Sequence, residues 1–184
     1  ITKTVISGAL TAQNMDAVTI KGLTFTATVT LTNSRNSTIS ECNITVSGAP
    51  YTVGSKSVVT FLNTYFGNTG ASDGMLTGGS VLELCKHCFF EKLTTAGRSL
   101  LRISNTSELI MCRYTYISGR SGNTAQAAIL LQMNCHGYIL DTKIAYCDVG
   151  IDVTYMSGCL KGGTLTNGAT TPEAGAGTNG CLIY

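Results

Sequence analysis

One motif, repeated seven times along the chain, restricts the fold more than any other feature. Each copy has an apolar residue, a short polar or glycine step, then two apolar residues spaced by two. The copies are Val18–Phe25, Ile39–Val46, Val59–Phe66, Leu82–Phe90, Leu109–Tyr116, Ile139–Tyr146 and Leu160–Asn167. The fourth copy is one residue longer, and Thr64 and Asn167 are polar where the pattern asks for an apolar residue. Successive anchors lie roughly 20 to 30 residues apart, which suits one structural coil per copy. A second short β-branched run precedes the anchor by about six to eight residues in most copies, the spacing of two strands in one coil. These runs end at Leu31, Val53, Leu76, Ile103, Met133 and Val153, and Cys181–Tyr184 begins one more. Glycine-rich pieces of varying length, such as Gly67–Gly79, Ser118–Ala125 and Gly168–Gly180, fill the rest.

Short strands of this kind pair as hairpins or stack as coils. The tight Asn-Gly and Asp-Gly links of a meander are mostly missing, which argues for stacking. One coil cannot bury its own apolar face, whereas coils stacked about 4.8 Å apart share a continuous core. Crossovers between parallel strands are right-handed by strong preference. The chain is therefore predicted to be all-β, a right-handed parallel β-helix of about seven coils. It forms a single domain over residues 1–184. Because it starts at Ile1 rather than Met, it is expected to be a fragment of a longer protein.

Aligning the copies predicts what each position buries. Cys42, Leu62, Cys85 and Cys112 fall at one inward position. Phe25, Val46, Phe66, Phe90, Tyr116 and Tyr146 fall at another, so an aromatic ladder is expected inside the core. The alternative for that column is an exposed aromatic stripe suited to sugar rings.

Composition removes several classes of function. Net charge is +2 and only 12% of residues are charged, with no basic run, so no nucleic-acid footprint is present. The longest apolar stretches resemble Ala127–Leu131, far short of the roughly 20 residues that span a bilayer, so no membrane insertion is expected. Eight cysteines raise the choice between a disulfide framework and buried thiols. Placing them on strand positions favours mostly reduced, buried cysteines, with Cys85 and Cys112 on adjacent coils close enough to bridge. Cys85, His87 and Cys88, with Cys135 and His136, are metal-ligand types. The two groups lie more than one coil apart, so no metal and no cofactor is expected, and His87 reads as a turn residue. Three Asn-x-Ser/Thr sequons, at Asn36, Asn43 and Asn105, are what a Ser/Thr-rich chain gives by chance.

A catalytic pair of carboxylates is sparse material here. Glycan-cleaving enzymes place two of them about 5 to 9.5 Å apart. Glu41 and Asp141 share a repeat position but stand about 19 Å apart, four coils of stacking. Asp148 and Asp152 are the remaining candidates, with Asp152 pointing outward. Aligning the preceding strands places Arg102, Gln132 and Asp152 at one outward position on three successive coils, a platform for sugar hydroxyls with Asp148 at its edge. The plain alternative is an ordinary solvated face.

The strand–turn–strand pattern with stacked inward Cys and aromatic residues, from Val18 to Tyr184, resembles the pectin-lyase-like superfamily of parallel β-helices. Within it, Tyr138–Val153 and Met156–Gly168 are most similar to coils of phage tailspikes: rich in Ser, Thr and Gly, low in charge, with free Cys. That resemblance implies a homotrimer in the virion tail, assembled in the host cytoplasm, that binds and in the parent cleaves bacterial surface polysaccharide. An extracellular polysaccharide lyase or glycoside hydrolase, and a bacterial surface adhesin, are the alternatives. No catalytic motif of the superfamily carries over, and the absence of Trp weighs against cleavage.

Overall fold

The computed structural model describes residues 4–70, 72–93, 99–119, 125–167, 171–174 and 182–183. Every described element is a strand, and no described segment is helical. The strands form three eight-stranded sheets in which each strand pairs in parallel with the equivalent strands of the coils above and below. The chain is a right-handed parallel β-helix, as predicted.

Sheet I contains Thr19–Lys21, Ser37–Ser40, Val58–Leu62, Val81–Lys86, Glu108–Arg113, His136–Leu140, Gly158–Gly162 and Leu182–Ile183. Sheet II contains Val5–Ile6, Thr24–Phe25, Asn43–Val46, Tyr65–Asn68, Phe89–Lys92, Tyr116–Ser118, Lys143–Ala145 and Leu165–Asn167. Sheet III contains Leu10–Gln13, Val29–Thr32, Tyr51–Gly54, Met75–Leu76, Leu101–Ser104, Ala125–Gln132, Cys147–Thr154 and Thr171–Ala174. The seven repeats are the seven passages from sheet I to sheet II. One expectation is corrected: the last strand, Leu182–Ile183, pairs with Gly158–Cys159 on sheet I and does not open a strand on sheet III.

Two corners per coil hold the stack together. Between sheets I and II a single residue takes a left-handed conformation: Glu41, Asn63, His87, Tyr114, Asp141 and the glycines Gly22 and Gly163 all have positive φ. The next side chain is a small hydroxyl or thiol turned inward, at Cys42, Thr64, Cys88, Thr115, Thr142 and Thr164. Thr115 Oγ1 donates to the Arg113 carbonyl at 3.2 Å and to the Cys85 carbonyl of the coil below at 3.3 Å. Thr64, Thr142, Thr164 and Cys42 repeat this double contact. Between sheets III and I two consecutive left-handed residues are followed by a buried Ser or Cys. The sets are Ser55-Lys56-Ser57, Gly78-Gly79-Ser80, Asn105-Thr106-Ser107, Met133-Asn134-Cys135 and Tyr155-Met156-Ser157. Ser57 Oγ donates to the Gly54 carbonyl at 2.6 Å, and Ser80 Oγ to that of Thr77 at 2.7 Å. A left-handed non-glycine residue costs about 1 kcal/mol or more. Each buried bond that the turn permits returns about the same.

The inward columns differ from the predicted ones. On sheet II the column is Phe25, Ile44, Phe66, Phe90, Ile117 and Ile144. Ring stacking along it is limited to Phe66 and Phe90, at 4.7 Å and 13°. The wholly buried Tyr51 packs edge-on against both rings and against Phe61, which itself lies tilted on Phe66. Tyr116 instead faces outward in register with Phe89 and Lys143, Val46 pairs with Asn68, and Tyr146 is an exposed left-handed residue. On sheet I the column is Ile39, Phe61, Cys85, Cys112 and Ile139. Leu62 faces outward beside Lys86, and Cys42 lies in the corner ladder. The cause is local. Both Val81–Lys86 and Glu108–Arg113 carry an extra residue that the sheet absorbs as a bulge.

The seven described cysteines are all buried, and Cys42, Cys85, Cys88, Cys112, Cys135 and Cys147 are thiols. Cys85 and Cys112 are direct neighbours in the sheet I column. Burial holds Cys85 well above the ordinary thiol range. His87, as expected, is an exposed turn residue; it lies against Tyr114 while Cys85 and Cys88 point into the core. The ligand types are thus divided across the wall, and no three of them converge among the described residues.

The corner bonds generate a prediction. Thr115→Val keeps the shape but removes both hydrogen bonds, and is expected to lower stability by about 1–3 kcal/mol. Thr115→Cys, which copies the neighbouring coils, is expected to cost much less. Urea denaturation of the two variants checks the ordering.

Candidate functional site

The outer face of sheet III carries the predicted platform residues, and the register places them as follows. One column reads Thr11, Thr30, Thr52, Met75, Arg102, Leu130, Asp152. Arg102 and Asp152 therefore share a column, as predicted, with Leu130 between them rather than Gln132. Gln132 lies two residues further along the strand, beside Ser104 and Thr154. The alignment slipped by two because Ile103 and Val153 stand in register with Leu131, whereas they were matched to Met133, which lies beyond the end of the strand.

Arg102 nevertheless reaches Gln132. Its guanidinium lies across the face of the sheet and donates from Nη2 to Gln132 Oε1 at 3.0 Å, and from Nη1 to Asp73 Oδ2 at 3.0 Å. Asp73 stands on the connection just before Met75–Leu76. The pair is well shielded, with 26% of the Arg102 side chain and 8% of the Asp73 side chain exposed. Such shielding strengthens the attraction beyond that of a surface pair and raises the cost of any polar atom left over.

Several atoms are left over. Among the described residues, four buried side-chain atoms have no hydrogen-bond partner: Tyr51 Oη, Asp73 Oδ1, Arg102 Nε and Thr154 Oγ1. All four belong to sheet III or to the residue leading into it. Tyr51 Oη lies under this edge, since a Cβ on Gly74 would come within 2.9 Å of it. Burial pushes the Tyr51 phenol well above its ordinary range, with the Asp73 charge among the lesser causes, so it remains a protonated donor. An unpaired carboxylate oxygen, a guanidinium N–H and a phenol gathered in one region call for a group that both donates and accepts. A neutral group does so, and because these atoms are enclosed it must be as small as a water. An anion would meet Asp73, and a cation would meet Arg102.

The proposed carboxylate pair has unfavourable geometry. Asp148 and Asp152 lie on one continuous strand, Cys147–Thr154, four positions apart. That separation is roughly 13 Å of extended backbone, beyond the range for either outcome of glycoside hydrolysis. Asp152 is half-buried between the inward Ile151 and Val153, and this burial raises its carboxyl above the usual range despite a hydrogen bond from the Val153 backbone. Neighbouring Cys147 offers no nucleophile. Burial, helped by the nearby Asp148 charge, pushes its thiol up to about 11.

Asp73 and Tyr51 were missed in the sequence. Asp73 falls in a glycine-rich stretch that reads as filler, and its only signal is that it is the sole charged residue between Tyr65 and Gly79. Tyr51 opens a strand whose inward face is apolar, which hides its hydroxyl.

The Asp152 environment has a pH consequence. Its folded-state acidity is weaker than in the unfolded chain, so ionisation costs stability as pH rises above the ordinary aspartate value near about 3.9. Asp152→Asn is expected to melt higher than the wild type at pH 7, with the gap closing as pH falls below that value. Calorimetry across pH checks this, and a variant less stable at pH 7 would contradict it.

No family model, curated protein or solved structure matches the chain.

Proposed function

We propose that this chain is a glycan-binding segment of an elongated surface appendage, of the phage-tailspike kind. The observation that supports the reading is the Asp73–Arg102–Gln132 network on the outside of sheet III, which holds a partly exposed guanidinium on that face as a donor to sugar hydroxyls. A parallel β-helix suits the role because its walls are flat, rigid and long. Sugar hydroxyls repeat along a polysaccharide much as side chains repeat along the coils. Low charge and a core that buries reduced cysteines such as Cys85 and Cys112 fit assembly in a reducing cytoplasm before incorporation in a virion tail. The partner is then bacterial surface polysaccharide, and the appendage is a homotrimer.

Two measurements test this. Sedimentation should give a particle of three 19.3 kDa chains. Binding to whole bacterial cells or their purified polysaccharide should fall roughly tenfold in Arg102→Ala, which removes a charged hydrogen-bond donor. A strict monomer that ignores every surface polysaccharide would overturn the proposal.

A further inference from the structure

A second surface, on the outer face of sheet II, carries chemistry that the sheet III network does not use. Asn43, Tyr65, Phe89, Tyr116 and Lys143 occupy one outward position on five successive coils. Their rings are not equivalent. Phe89 and Tyr116 are tilted by 30° with centroids 4.9 Å apart, and Lys143 Nζ stands 5.5 Å from the Tyr116 centroid. The faces of these two rings are turned toward one another and toward the lysine. Tyr65 is turned by 74° relative to Phe89, at 5.4 Å.

Gly67 explains the turn. It is the next outward residue on the same strand, and the Tyr65 ring lies down over it. A Cβ at position 67 would come 2.9 Å from Tyr65 Cε1, 3.1 Å from Tyr65 Oη and 3.0 Å from Thr45 Oγ1. The absent side chain lets the ring fold onto the sheet. There its hydroxyl donates to Glu91 Oε2 at 2.6 Å, a short charge-assisted bond. Glu91 is the register partner of Gly67 on the next coil. The ring and the carboxylate are both half-exposed.

We infer that Tyr65 and Glu91 form a subsite for one neutral pyranose ring, an assignment that rests on the glycan-binding reading above. A pyranose has an apolar C–H face and a rim of hydroxyls. The face packs on an aromatic ring, and the rim donates to a carboxylate beside it. The Tyr65 ring laid on Gly67 supplies the floor, Glu91 supplies the acceptor, and the Phe89–Tyr116 stack forms a wall along one side. A quaternary ammonium would need several ring faces converging on one point, but Phe89 and Tyr116 turn theirs to each other. An acidic sugar would bring its carboxylate against Glu91. Neutral sugars fit both constraints.

The test is titration of the whole chain with methyl glucoside, methyl galactoside and methyl mannoside, followed by the aromatic proton signals. Methyl glucuronide and tetramethylammonium chloride serve as comparisons. A neutral glycoside is expected to shift the Tyr65 signals in a saturable way. Glu91→Gln should weaken it roughly tenfold through loss of a charged acceptor. Gly67→Ala should abolish it by lifting the ring, while circular dichroism shows the fold intact. Tyr65→Ala should abolish binding too, and Arg102→Ala should leave this site unchanged. The inference is overturned if no neutral glycoside perturbs Tyr65, if Gly67→Ala binds normally, or if tetramethylammonium binds better. Should the wild type bind polysaccharide and Tyr65→Ala bind it equally, this subsite alone is wrong and the glycan reading stands. Should the wild type bind no polysaccharide at all, the glycan reading itself fails.

Discussion

The structure depends on small polar side chains buried at most of the left-handed corners between sheets I and II and between sheets III and I. Two of the three corners in each coil turn through left-handed residues, and each such turn exposes carbonyls to the core that no strand can satisfy. Thr64, Thr115, Thr142 and Thr164 at one corner bond the carbonyl two residues back and a carbonyl of the coil below. Ser57, Ser80 and Cys135 bond the carbonyl three residues back at the other corner. One donor therefore closes its own turn and clasps its neighbour. This explains why the chain is rich in Ser, Thr and Cys yet buries many of them, and why cysteine substitutes for threonine without breaking the ladder. It also explains why Glu41, His87, Tyr114 and Tyr155 accept left-handed backbone that ordinarily favours glycine or asparagine.

The corners set what faces solvent. Once position and register are fixed, alternation along each short strand decides which side chains line the core and which decorate the walls. Sheet II thereby presents Tyr65, Phe89 and Tyr116 in one row, and sheet III presents Arg102 between Met75 and Leu130. Both surfaces follow from the same stacking. Neither needs a loop to build it, although Asp73 arrives on a connection and completes the sheet III network.

Much of this architecture was legible in the sequence. The seven passages from sheet I to sheet II were found by spacing alone, because Phe25, Phe66 and Phe90 mark the same depth in their coils. The columns were read less well. Ile39 and Ile139 are the second inward residues of their strands, and taking them as first displaced Val46 and Tyr146 by two positions. The extra residue in Glu108–Arg113 displaced Tyr116 by one, which in a strand turns a side chain from one face to the other. The fourth copy showed its extra residue by its length, but in the fifth Tyr116 met the apolar pattern one position early and hid the bulge. The corner code, carried by Ser57, Ser80, Ser107 and Ser157, was not read from the sequence. It follows pairs as different as Gly78-Gly79 and Tyr155-Met156, whose shared backbone conformation has no shared chemistry. The site suffered most, since Arg102, Asp73 and Gln132 meet diagonally across three coils and a column alignment sees only vertical neighbours.

The claim beneath all of this is that like corners stand above one another along a single axis. The most direct measurement is a spin-label distance between positions 41 and 141, labelled through an introduced non-thiol side chain so that the native cysteines stay untouched. These exposed corner residues are 100 apart in sequence. Stacking places their backbones four coils, or about 19 Å, apart. A narrow distribution centred a few ångströms to either side of that value is the predicted result. A broad distribution, or one centred beyond about 30 Å, would contradict the stacked coil and with it both proposed surfaces.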